Sequence, residues 1–94
     1  MLKVLIVENN ISFRERFKGR LLSQFPSVEV IEAMDGQELF KKLVLFPIDL
    51  IFMEMRLPGQ NGLELTRKIK LDHQDISIII LSSYDYPEYK QGTW

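Results

Sequence analysis

The sequence predicts an α/β fold with a doubly wound parallel sheet. Four short apolar runs recur along the 94 residues, and stretches of helical periodicity separate them. The connections between these segments are short. Such a β-α-β-α-β-α-β order favours right-handed crossovers and a parallel sheet. A chain of this length holds one domain with a modest core.

The first strand and the first helix follow from the N-terminal residues. Residues 2–7 form an apolar run without alternation, which is typical of a strand covered on both faces. Asn9 or Asn10 can cap a helix from Ile11 to about Phe25. Apolar residues recur along this helix at helical spacing and are predicted to be its inner face: Phe13, Phe17, Leu21 and Leu22. Basic residues occupy other positions and are predicted to be a solvated face: Arg14, Arg16, Lys18 and Arg20.

The second strand and helix are marked by a change of period. Residues 28–32 alternate between apolar and polar, which predicts a half-exposed edge strand. Asp35-Gly36 marks a turn after this strand, and a helix is predicted from Gln37 to about Phe46. Its predicted inward residues are Leu39, Phe40, Leu43 and Val44.

The remaining elements are bounded by proline and asparagine. Pro47 ends the second helix, and Ile48 to Met53 reads as a third strand. Asn61 is a candidate cap for a third helix that ends near Asp72-His73. Residues 76–81 are predicted to form the fourth strand.

Composition excludes several classes of protein. The chain has no cysteine, so it is neither a disulfide scaffold nor a thiolate metal site. The net charge of -1 gives no field that would attract nucleic acid or an anionic membrane. No apolar stretch approaches the roughly 20 residues of a membrane helix, and no signal peptide is visible. We expect a cytoplasmic location and no membrane partner.

Two acids each end a predicted strand. Glu8 follows the first strand, and Glu54 follows the third, just before a glycine-rich turn. Ligands of open α/β sheets bind at the carboxyl ends of the strands. If these strands are parallel neighbours, both carboxylates meet at one edge of the sheet, which suits a divalent cation and a phosphoryl group. The alternatives are a solvated turn residue for Glu54 and a helix N-terminal charge for Glu8.

Three motifs resemble the receiver domain of two-component response regulators. They are Val7-Glu8-Asn9 after the first strand, the segment from Asp49 to Gly62, and Leu81-Ser82-Ser83 after the fourth strand. The resemblance spans the chain and implies a flavodoxin-like sheet of strand order 2-1-3-4-5. It also implies a protein partner, either a histidine kinase or an output protein.

The resemblance also implies a role for each site residue. Glu54 stands where the family has its phosphorylated aspartate, and Ser82 where a hydroxyl residue binds the phosphoryl group. Magnesium would be held by Glu8, Asn9, Glu54 and the backbone carbonyl of Arg56. A hard cation of this kind takes oxygen ligands.

Three departures from the family pattern alter these expectations. Glu54 carries one methylene more than aspartate, which disturbs in-line attack. Asn9 supplies a neutral ligand where an acid is expected, so Mg²⁺ binding should be weak or absent. The chain ends at Trp94, and we therefore expect an incomplete receiver-like domain over residues 1–94 that lacks the fifth strand and the last helix.

The fourth strand would then be a flat apolar sheet edge, which invites pairing with another chain. We expect a homo-oligomer that buries this strand and the aromatic tail formed by Tyr84, Tyr86, Tyr89 and Trp94.

We favour a degenerate receiver domain of phosphorelay signalling that is not an enzyme. It is expected to act through contacts with other proteins and without being phosphorylated itself. One alternative is a phosphorylation-competent receiver whose site is completed by another chain. A second alternative, ranked last, is a small Mg²⁺-dependent phosphohydrolase that uses Glu8 and Glu54, because no positioned base is visible.

Overall fold

The four strands of the main sheet are separated by helices along the chain, as the sequence predicts. The computed structural model describes residues 1–82. Its elements are β1 (Lys3–Val7), α1 (Ile11–Gln24), β2 (Glu29–Ala33), α2 (Gly36–Leu45), β3 (Leu50–Glu54), β4 (Arg56–Leu57), β5 (Gln60–Asn61), α3 (Gly62–Asp72) and β6 (Ser77–Leu81). The fourth predicted strand is therefore β6. The predicted tail contacts of Tyr84, Tyr86, Tyr89 and Trp94 lie outside the described residues.

Four strands form one parallel sheet in the order β2-β1-β3-β6, which confirms the predicted order 2-1-3-4. In the pairing register, Val7 lies opposite both Ala33 and Met53. Glu54 lies opposite Leu81 on β6. The carboxyl ends of all four strands therefore meet at one edge of the sheet.

The main core lies between the sheet and the helices α2 and α3. Leu39, Leu65 and Ile69 contribute the helical side of this core and are fully or almost fully buried. Two predictions for α2 are wrong: Phe40 is 37% exposed and Val44 is 85% exposed. The inward face of α2 is centred on Leu39 and Leu43, which lie one turn apart, and this leaves Phe40 and Val44 rotated toward solvent.

Helix α1 covers the other face of the sheet with aromatic side chains. The Phe13 and Phe17 rings stack at 6.1 Å, and Phe17 meets Phe52 of β3 edge to face at 5.0 Å. The predicted solvated face of α1 is only partly correct, because Arg14 and Lys18 are half-buried. Both form ion pairs with Glu32 on β2, a contact between elements that helical spacing does not reveal.

A short antiparallel hairpin, β4 with β5, was not predicted from the sequence. Strands of two residues carry no measurable period, although Pro58-Gly59 does mark a turn. Gly59 has a positive φ of 66°, a conformation that favours glycine. Among the described residues, no helix is both long and apolar enough to cross a bilayer.

Candidate functional site

Two buried acids are neighbours at the carboxyl edge of the sheet. Glu54 is the last residue of β3, and Glu8 directly follows the adjacent strand β1. Glu8 is 3% exposed and Glu54 is 0% exposed, so Glu54 is not a solvated turn residue. Burial raises the pKa of Glu8 to about 7; the Asn10 N–H opposes this shift, and the neighbouring Glu54 carboxyl adds to it.

The backbone and side chain of Glu8 are held by several hydrogen bonds. Its N–H donates to the Ala33 carbonyl at 3.0 Å, which extends the β1–β2 pairing by one residue. Its Oε2 accepts from the Asn10 N–H at 2.9 Å. Its Oε1 is buried and has no donor among residues 1–82. A buried carboxylate oxygen without a donor favours an added proton or cation.

The loop after β1 is shaped by two asparagines. Asn10 caps α1, because its Oδ1 accepts from the Phe13 N–H at 2.9 Å. Asn9 is exposed, and its Nδ2 donates to the Met34 carbonyl at 3.5 Å. Of the two candidate caps, Asn10 therefore has this role. The Asn9 amide lies beside the loop that follows β2.

Hydrogen bonds with β4 and β6 hold the chain around Glu54 in place. The Glu54 Oε1 accepts from the Arg56 N–H at 3.4 Å. The Met55 N–H donates to the Leu81 carbonyl at 2.9 Å, which keeps the end of β3 beside the end of β6. Ser82 is half-buried and directly follows Leu81, so it lies at the same edge. Arg56 is exposed on β4.

Gly62 allows α3 to begin against the backbone of Glu54. A Cβ at Gly62 would lie 2.4 Å from the Glu54 carbonyl oxygen and 3.0 Å from the Met55 Cα. The helix is capped by Asn61, as predicted, because its Oδ1 accepts from the Leu63 N–H at 2.7 Å. Glycine is therefore required here by a close backbone approach.

The structure thus brings Glu8 and Glu54 together and places Ser82 at the adjacent strand end. Asn9 and Arg56 lie on exposed loop or hairpin positions beside them. Within residues 1–82, no three His, Cys, Asp or Glu residues form a group that could hold a metal ion. Sequence reasoning missed Gln60, whose Oε1 accepts from the Gly36 N–H at 2.9 Å and ties the hairpin to α2.

Comparison with known proteins identifies the family to which this chain belongs. A family model for the response regulator receiver domain matches residues 4–93. The chain belongs to the response regulator receiver domain family. Receiver domains of this family are signalling modules of two-component systems, and the resemblance inferred from the motifs is confirmed.

Curated relatives of this receiver domain are longer proteins. The response regulator GacA of Pseudomonas syringae pv. syringae (strain B728a) is 32% identical over 83 residues, which cover 87% of this chain. The transcriptional regulatory protein DegU of Brevibacillus brevis is 29% identical over 89 residues, which cover 94%. The matches span only 38% and 37% of those relatives.

Solved structures of receivers show the same fold. The response regulator TrrA from Thermotoga maritima in complex with Mg²⁺-BeF matches with a TM-score of 0.80 and 30% identity, over 100% of this chain and 80% of that chain. TrrA in complex with the histidine kinase ThkA matches with a TM-score of 0.79 and 31% identity, over 92% and 72% of the two chains.

We expect Gly62→Ala to destabilise this receiver domain by about 2–4 kcal/mol. The alanine methyl group would collide with the backbone of Glu54 and Met55, which cannot rotate away as a side chain can. Gly19→Ala is the matched control, since a Cβ at Gly19 meets nothing within 4 Å. That control should gain about 0.5–1 kcal/mol in a helix interior. Urea unfolding measures both, and equal effects of the two substitutions would contradict the close approach at Gly62.

Folding stability should depend on the protonation of Glu8. Its pKa rises from 4.5 to about 7 on folding, so the folded state holds the extra proton between these values. The stabilisation is complete below pH 4.5 and is lost as the pH rises through about 7. We expect the free energy of unfolding to fall by about 3 kcal/mol across this window.

Urea unfolding across this pH window, with Glu8→Gln as the control, measures the dependence on Glu8. The variant cannot titrate at this position, so its stability should change less with pH. Curves of identical slope for the two proteins would assign the pH dependence to other groups.

Proposed function

We propose that this receiver domain acts through contacts with protein partners and not through phosphorylation of Glu54. The observation that carries the proposal is the glutamate itself, which is fully buried at the end of β3 beside a second acid. A phosphodonor needs an oxygen that it can approach in line. The longer Glu54 side chain instead turns one oxygen to the Arg56 N–H and lies against Glu8.

The acid pair supports weak binding of a hard divalent cation. The buried Glu8 Oε1 lacks a donor among the described residues, and the Glu54 carboxyl lies next to Glu8. Carboxylate, amide and carbonyl oxygens suit Mg²⁺. Glu8, Glu54, the Asn9 amide and the Arg56 carbonyl would hold it, and bound Mg²⁺ would offset the repulsion between the two carboxylates. The Mg²⁺-BeF complex of the relative TrrA agrees with such a site.

A histidine kinase or an output protein is the proposed partner. The complex of TrrA with a histidine kinase supports this class of partner for a receiver of similar fold. We also propose that Ser82, at the end of β6, is the equivalent of the family's phosphoryl-binding hydroxyl. Glu54 is the proposed equivalent of the phosphorylated aspartate. If Glu54 is not phosphorylated, Ser82 has no phosphoryl group to bind, although it lies at the adjacent strand end.

Incubation with acetyl phosphate and Mg²⁺, followed by intact-mass measurement, tests the proposed inert site. We expect the unmodified chain to gain no phosphoryl group, because Glu54 is buried and lies beside Glu8. A receiver with an aspartate acceptor provides the positive control.

A gain of one phosphoryl group would overturn the proposal, and Glu54→Gln would then show whether Glu54 accepted it. Repeating the reaction over a range of protein concentrations identifies the competent alternative, because a site completed by a second chain becomes active only as the chains associate.

We further propose that β6 mediates self-association. Among the described residues, β6 pairs only with β3, and its opposite edge has no strand neighbour. Ile79 on this strand is 47% exposed. A flat apolar edge of this kind pairs readily with another strand. A second copy of the chain is the proposed occupant.

Multi-angle light scattering at micromolar concentrations should show a dimer or a larger species. Ile79→Lys should shift the population toward monomer, because a lysine on an edge strand opposes pairing. Val44→Lys is the matched control: Val44 is also apolar and exposed, but it lies on α2. A monomeric unmodified chain would refute the proposed association.

A further inference from the structure

Arg14 joins the acid site to the opposite edge strand of the sheet. Its Nη1 donates to the Glu8 backbone carbonyl at 2.6 Å, and its Nε donates to the Glu32 Oε1 at 2.9 Å. Its side chain is only 14% exposed. The guanidinium therefore makes two directed contacts in a half-buried setting, which a planar group of fixed donors can provide.

On β2, the Glu32 carboxylate binds both Arg14 and Lys18. Its Oε2 accepts from Lys18 Nζ at 3.0 Å. Burial alone would raise the pKa of Glu32, but hydrogen bonds from Lys18 and Arg14 more than offset burial and lower it. Glu32 is thus an anion near neutral pH. An anion bound by two cations keeps the Arg14 guanidinium in place beside Glu8.

The contacts of Arg14 complete the restraint of the Glu8 backbone. The Glu8 N–H is bound by the Ala33 carbonyl, and the Glu8 carbonyl is bound by Arg14. The peptide group that contains this carbonyl joins Glu8 to Asn9, and the next residue, Asn10, donates its N–H to the Glu8 Oε2. Rotation of that peptide group would move the Asn10 N–H away from the carboxylate. Arg14 opposes this rotation.

We propose that Arg14 is a positioning residue, which holds the β1–α1 loop so that the Glu8 carboxylate stays beside Glu54. The effect of Arg14 on cation binding rests on the proposed function, in which Glu8 and Glu54 hold a divalent cation. Arg14 touches neither carboxylate in this arrangement; it acts through the Glu8 carbonyl. Loss of Arg14 should therefore loosen the acid pair while the sheet remains folded.

Arg14→Met and Lys18→Met provide a matched test. Each substitution removes one of the two cations bound to Glu32, but only Arg14 contacts Glu8. Amide hydrogen exchange of Asn10, followed by NMR, reports the Asn10 N–H bond to Glu8 without any metal. Titration with Mn²⁺ reports cation binding, and urea unfolding of each variant gives the change in global stability.

We expect Arg14→Met to accelerate Asn10 exchange and to weaken Mn²⁺ binding by about tenfold, a loss usual when a group that orients a metal ligand is removed. Lys18→Met should change neither beyond its effect on global stability. Equal effects of the two variants, or an unchanged Asn10 amide in Arg14→Met, would overturn the inference. Absence of Mn²⁺ binding to the unmodified chain would reject the proposed cation site, and the Asn10 comparison would still decide the role of Arg14.

Discussion

The parallel pairing of β1 with β3 is the constraint on which the site depends. This pairing aligns the two strand ends, so Glu8, which follows β1, and Glu54, which ends β3, meet at one edge of the sheet. Burial of two neighbouring carboxylates is unfavourable when both are ionised. The raised pKa of Glu8 expresses this cost, and backbone N–H groups of Asn10 and Arg56 offset part of it.

The elements around the acids leave little freedom for rearrangement. Gly62 lets α3 begin directly against the Glu54 carbonyl, and the bond from Gly62 N–H to the Met55 carbonyl, 2.7 Å long, closes the turn. On the β1 side, Asn10 both caps α1 and binds Glu8. The same residues therefore shape the helix starts and hold the acids, so folding and site geometry are linked.

In the proposed assignment Glu54 stands at the acceptor position, where it carries one methylene more than the aspartate of the family pattern. Because Glu54 is fully buried, an added methylene there would change which groups the carboxylate contacts, whereas a solvated side chain would accommodate it by rotation. The proposed function follows from this assignment: the fold is that of a receiver, while the Glu54 carboxylate is fully buried and accepts a hydrogen bond from the Arg56 N–H. Under this proposal, contacts with other proteins are the means by which the domain would contribute to signalling.

The sequence by itself determined the α/β class, because periodicity is a local signal. The strand order followed from the resemblance of the strand-end motifs to the receiver family, and the meeting of Glu8 with Glu54 followed from that order. The cap at Asn61 was also predicted from a local signal, whereas the sequence left Asn9 and Asn10 as alternative caps of α1 and the structure identified Asn10. Only the tertiary structure decided that Phe40 and Val44 of α2 face solvent and that Arg14 binds Glu8 and Glu32. These features depend on how a helix is rotated against the sheet and on contacts between residues far apart in the chain. No local pattern encodes either of them.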